Sequence, residues 1–192
     1  MKWIVLIVLL IIGPYTFLRW HYRKPQPAFE PYYDMKDRAN TMRLVSAGFQ
    51  RVTLTAARPS EPLRTISSAA ITPAPGGLPA ALSSTLVEQP RLLAEILSVT
   101  APAETNTFFE YILEFTCAVA DHQEELGNAY LYARDDQIFI VPEIEKLSGE
   151  LLTRDRENLI RLTVRAGAIK PGTYEVTLIG ERSSKAWSLV VK

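Results

Sequence analysis

The chain has 192 residues, 47% of them hydrophobic and 22% charged, a balance that suits a folded core and excludes wholesale disorder. Its 21 basic and 21 acidic residues cancel, and no dense Lys/Arg run occurs outside residues 19–24, so the electrostatic footprint of a nucleic-acid binder is missing. Cys117 is the only cysteine, so no intramolecular disulfide can form and packing must hold the fold.

Residues 3–18 carry no charge, and a helix of that length rises roughly 24 Å. Trp3 at one end and Trp20 at the other would set aromatic rings near the two headgroup regions, with Ile4, Leu9 and Leu18 in the apolar stretch between them. Pro14, after Gly13, would kink such a helix. The bulky, basic residues that follow offer no small-residue cleavage site, so the expectation is an uncleaved single-pass anchor, residues 1–23 with its flanks, inserted in the lipid bilayer. His21 sits in the basic flank, where an interfacial role suffices. More basic residues follow the segment than precede it, which by the positive-inside rule would keep the rest of the chain cytoplasmic. The short tail before the anchor favours insertion as an uncleaved signal, and the expected location is the cell membrane with an extracytoplasmic C-terminal domain.

Residues 24–31 hold three prolines and read as a stiff stalk. The stretch 32–90 reads as a helix–strand segment with a long loop. Met35, Ala39, Met42 and Val45 fall along one face of a helix over 32–47 that Gly48 ends, and residues 49–55 alternate as a strand. Residues 58–79 are rich in proline and contain Gly76–Gly77, so they read as loop with a short strand near 63–71, and Pro79 opens a two-turn helix that Pro90 stops.

From residue 91 the pattern is β. Phe109, Tyr111, Leu113, Phe115, Cys117 and Val119 alternate with more polar neighbours, and further strands are predicted over 92–99, 129–134, 137–142, 159–166, 174–180 and 186–191. Turns are expected at Asp135–Asp136, at 170–173 and at 181–184. Seven short strands with few helices between them predict a mainly β architecture: a single transmembrane helix, a short α/β segment, then a seven-stranded antiparallel β-sandwich over 91–192.

The run Lys170-Pro-Gly-Thr-Tyr-Glu-Val-Thr-Leu178 resembles the tyrosine corner of immunoglobulin-like and fibronectin type III-like domains. Cys117 stands on the second strand, where such domains often carry a cysteine. Val176 occupies the position of its partner, and the third strand offers Tyr130 and Tyr132 but no core tryptophan. The resemblance implies a fold and carries no activity.

No chemistry stands out. Cys117 inside an apolar alternation reads as a small buried hydrophobe. Asp121-His-Gln-Glu-Glu125 gathers metal-ligating types without a defined geometry and reads as a polar loop. No Gly-x-Ser-x-Gly elbow or phosphate-cradling loop occurs, and Gly76–Gly77 is explained by turn chemistry. Arg161, Thr163 and Arg165 form the polar face of one strand, which solvent exposure explains. The sequence therefore assigns no catalytic, metal or cofactor-binding residue. It leads to a membrane-anchored, non-enzymatic binding or scaffolding protein of the cell envelope with a protein partner. Two alternatives stand beside this: a membrane-bound hydrolase or transferase whose site is scattered in sequence, and a small accessory subunit of a membrane complex. An exposed apolar face on residues 32–55 would point to the last.

Overall fold

The computed structural model describes residues 12, 13, 15, 31–59, 61–63, 67–118, 124–146 and 157–192. Met1–Met35 and Lys36–Lys192 form two compact units. The elements in order are helix α1 (Pro31–Ser46), β1 (Gln50–Ala57), β2 (Thr72–Pro75), the single helical turn α2 (Ala80–Ser83), β3 (Glu95–Thr100), β4 (Glu104–Thr105), β5 (Tyr111–Ala118), β6 (Glu124–Arg134), β7 (Gln137–Lys146), β8 (Glu157–Val164), β9 (Gly172–Leu178) and β10 (Ser183–Val191).

The strands form one ten-stranded sheet in the order β2-β10-β9-β7-β6-β1-β8-β5-β3, with β4 beside β10. The sheet curls into a half-barrel. The chain entering β3 meets the β9–β10 turn, where the amides of Glu181 and Arg182 donate to the carbonyls of Leu93 and Ala94. Each of the seven strands expected after residue 91 forms, with shifted ends, and the strand expected at 49–55 forms as β1.

The seven-stranded sandwich does not survive. A sandwich keeps two sheets as separate layers, but β1 pairs with β6 through Gln50–Leu54 and with β8 through Thr55–Ala57, which stitches the would-be layers into one sheet. β7 and β9 also run parallel, a pairing that an antiparallel sandwich lacks. The short strand expected near 63–71 appears later, as β2, on the edge of the sheet against β10. It carries Pro73 and Pro75, which edge positions tolerate because no outward N–H is needed there.

The expected single transmembrane helix is likewise not found among the described residues, where no helix is long and apolar enough to cross a membrane. The longest, α1, has 16 residues and includes Lys36, Asp37, Arg38 and Arg43, charges too costly for a bilayer core. Of residues 3–18 only Ile12, Gly13 and Tyr15 are described. The anchor residues Trp3, Ile4, Leu9, Pro14, Leu18 and Trp20 lie outside the described residues.

The concave side holds the main core, to which β1, β3 and every strand from β5 to β10 contributes, with Leu113, Phe115, Leu131, Ile138, Ile140, Leu162 and Leu178 all essentially inaccessible. Trp187, on the last strand, lies in it and donates its indole N–H to Tyr111 Oη at 3.0 Å, while Tyr111 donates to the Pro102 carbonyl. A smaller core lies on the convex side, where Leu44 of α1 and Leu82 and Leu86 around α2 cover Tyr132, Phe139, Val141 and Ile179. This explains the unbroken Ile138-Phe-Ile-Val141 run, since a strand buried on both faces needs no alternation.

The corner expected from the sequence forms locally. Tyr174 folds back over Gly172 and its hydroxyl donates to the Lys170 carbonyl at 3.0 Å, and a Cβ on Gly172 would crowd the ring at 3.3 Å. Asp135 takes the one left-handed conformation of a non-glycine residue among those described, closing the β6–β7 hairpin.

Leu44, 1% exposed, should carry the attachment of α1, while Met42 is 76% exposed. Leu44→Ala is expected to cost about 2–4 kcal/mol in urea unfolding and Met42→Ala no more than about 0.5 kcal/mol. Equal costs would mean that α1 packs by its other face.

Candidate functional site

Three places combine polarity, space or exposure in ways that core packing does not require. The first lies beneath α1. Arg51 of β1 donates from Nη1 to Asp37 Oδ1 of α1 at 2.6 Å, and its guanidinium stacks over the Tyr130 ring at 4.0 Å from the centroid. Asn40 accepts from the Val87 amide at 2.7 Å and Lys36 pairs with Glu88 at 2.6 Å, so α1 is tied both to the sheet and to the chain after α2. The Arg51 Nε is buried and makes no hydrogen bond. Glu143, on β7, belongs to this cluster. Burial pushes its carboxyl up to about 7; Arg51 opposes the shift, and Glu145 and Asp37 add to it. Burial also holds the Tyr132 phenol well above its ordinary range. The arrangement provides a proton acceptor near neutrality close to the Tyr132 phenol.

The second place is a cavity of about 270 Å³ at the end of the half-barrel where β1 changes partners. β6 pairs with β1 only from Ala129 onward, and its register slips between Leu126 and Ala129. β1 has meanwhile turned to β8 from Thr55. The two strands therefore part like a wedge, with Ala56 and Ala57 on one wall and Leu126 and Gly127 on the other. Leu93, Cys117 and Ile160 form the floor, and Arg58 and Asn158 are the other lining residues among those described. Cys117 is fully buried, its thiol donates weakly to the Asn158 carbonyl at 3.7 Å, and burial pushes it up to about 11, so it remains a neutral thiol at physiological pH. The buried-hydrophobe reading of this residue describes it well.

The third place is the turn before β5. Phe108 and Phe109 are 85% and 70% exposed. The turn that carries them is firmly held: the Phe108 amide donates to Asn106 Oδ1, the Phe109 amide to the Asn106 carbonyl, the Thr107 amide to the Lys192 carbonyl, and the Gly167 amide to the Thr107 carbonyl. The alternation that marks the following strand puts Phe109 on its apolar face, but pairing starts only at Tyr111 and both rings project from the turn. Two adjacent phenylalanines were the available signal, because one of any adjacent pair must face outward in a strand.

Other sequence readings resolve individually. Arg161 is no free strip residue: its Nε donates to the buried Glu114 at 2.7 Å, its Nη2 to the Glu61 carbonyl, and Glu114 also accepts from the Leu63 amide, so the pair straps residues 61–63 over β5 and β8. Asp121, His122 and Gln123 lie outside the described residues, and Glu124 and Glu125 open β6. Among the described residues no group of three or more His, Cys, Asp or Glu side chains is placed to hold a metal ion. Met35, Met42 and Val45 of α1 are exposed, opposite to the helix face that packs through Leu44.

No family model, no curated protein and no solved structure matches this chain.

The raised Glu143 carboxyl has a defined consequence. Between pH 4.5, its ordinary value, and about 7 the folded chain holds a proton that the unfolded chain has released, so stability should fall as pH rises through that window, by about 3 kcal/mol before solvent screening of this partly exposed group reduces it. Glu143→Gln is expected to flatten that part of the profile of unfolding free energy against pH. Superimposable profiles for the two proteins would refute the burial of this group.

Proposed function

We propose that this chain is a non-enzymatic binding or scaffolding protein of the cell envelope, held at a membrane through its apolar residues 3–18 and presenting its β domain to a protein partner on the extracytoplasmic side. The observation that carries this reading is the Phe108–Phe109 turn. Two phenyl rings in water cost free energy that burial in an interface recovers, at roughly 25 cal/mol per Å² of apolar surface. Aromatic anchors of this kind dominate protein interfaces, and a turn already fixed by hydrogen bonds loses little further freedom on binding. Attachment to a bilayer would raise the effective concentration of this surface toward neighbours in the same membrane.

A second reading, an accessory subunit of a membrane complex, is favoured by the exposed Met42 and Val45 on α1. It differs in expecting a permanent partner over the helix. A hydrolase or transferase finds support only in the raised carboxyl of Glu143.

A photo-crosslinking amino acid placed at Phe108 in the full chain, in intact membranes, is expected to yield a discrete protein adduct, whereas the same probe at the exposed Glu175 yields none. Phe109→Ser in the same background should abolish the adduct without lowering Tm. An absent adduct, or one equally strong at both positions, would remove the docking reading, and release of the chain by alkaline washing would remove membrane attachment.

A further inference from the structure

Helix α1 sorts its charges by side. Inward, Asp37 holds Arg51, Asn40 accepts from the Val87 amide, and Leu44 seats the helix on the convex core. Lys36 is paired with Glu88. Outward, Arg38, Met42 and Val45 follow one another at spacings of four and three and form one stripe, with Arg43 beside it and all four side chains exposed. Among the described side chains of the helix, the charges on this outward side are therefore both cationic. Met42 and Val45 stay 76% and 68% exposed, although Leu44, their neighbour on the same helix, is buried against the sheet. An apolar stripe edged by arginines is the pattern of a helix that lies in the headgroup region of an anionic bilayer, aliphatic groups toward the acyl chains and guanidiniums among the phosphates.

Chain length points the same way. Twelve residues, 19–30, separate Leu18 from Pro31, and even fully extended they would reach only about 40 Å. They carry Arg19, Arg23 and Lys24 against one acid, Glu30. With residues 3–18 in a bilayer, the helix would meet that surface at an effective concentration on the order of millimolar.

We propose that the outward face of α1 docks on the anionic phospholipid surface of the membrane that holds residues 3–18, with Met42 and Val45 at the acyl boundary and Arg38 and Arg43 on lipid phosphates. The inference rests on the attachment assigned above to residues 3–18 and goes beyond it by naming the side of the β domain that meets the bilayer. Two apolar side chains and two arginines would hold an untethered domain only weakly, so the contact acts as the second of two membrane signals. The Phe108–Phe109 turn remains the surface for a protein partner.

The test uses the full chain in vesicles of phosphatidylcholine alone or mixed with phosphatidylglycerol. A polarity-sensitive fluorophore is placed on Ser46→Cys, which is exposed and stands four residues past Met42, while Cys117 is fully buried and stays unlabelled. Flotation with the vesicles reads attachment, and emission reads the position of the helix. In mixed vesicles the dye should report a lipid-like environment that high salt reverses without releasing the chain. Arg38→Gln/Arg43→Gln should lower the ratio of lipid-facing to aqueous dye by at least about fivefold, with flotation and Tm unchanged. Val45→Ser should lower it as well, and the same dye on the exposed Glu175→Cys should stay aqueous. A chain that fails to float would overturn the attachment and this proposal together. A chain that floats with an aqueous dye at Ser46→Cys in mixed vesicles, or with a signal indifferent to the two arginines, would overturn the docking alone. A dye that is aqueous in pure lipid but shielded in native membranes would overturn it in favour of a protein over the helix.

Discussion

The molecule depends on one strand with two partners. Had β1 paired along its whole length with β6, the remaining strands β8, β5 and β3 would have formed a sheet of their own and the chain would have folded as two layers. By giving Gln50–Leu54 to β6 and Thr55–Ala57 to β8, β1 makes a hinge of hydrogen bonds between the halves. The curl of the sheet, the enclosed concave core and the cavity at the parting of β1 and β6 all follow from that exchange. So does the position of α1, which must double back at Gly48, with its left-handed backbone, to lie over the strands that β1 has just joined.

A curled sheet has two unequal faces, and the chain treats them differently. The concave face is filled by side chains from nearly every strand. On the convex face the second apolar cluster lies over β6 and β7, where Leu44, Leu82 and Leu86 cover them, and even there the seal is partly polar. Arg51 reaches through it to Asp37 while Glu143 gives up much of its hydration. A helix held in this way depends on charge balance as well as on apolar area, unlike the concave core.

Most of the strands were legible because period-two alternation reports which face of a strand is apolar. It does not report the neighbour. Nothing in Leu54 or Thr55 marks the point where pairing changes sides, and nothing in β9 announces a parallel partner, so the strand inventory could be read while the topology could not. The helix shows the same limit. Met35, Ala39, Met42 and Val45 do share a side of α1, yet the helix is seated by Leu44, because one well-placed leucine among Asn40 and Asp37 outweighs a looser stripe. Glu114 was invisible for another reason: it occupies an outward position and is buried by residues 61–63, a distant loop that local pattern cannot foresee. Of the candidate site, Phe108 and Phe109 could have been singled out from their adjacency, and Cys117 was read correctly as core. The cavity and Glu143 depend on tertiary placement alone.

The prolines of β2 have one more consequence. An open sheet invites a second copy to add its own strand, and repetition of that step produces fibrils. At the β2 border Pro73 and Pro75 offer carbonyl oxygens but no amide hydrogens, so an incoming strand would find half of its bonds unanswerable. A half-barrel that never closes thus carries its own stop to end-to-end growth on that side, and crowding many copies together need not turn the open sheet into a seed.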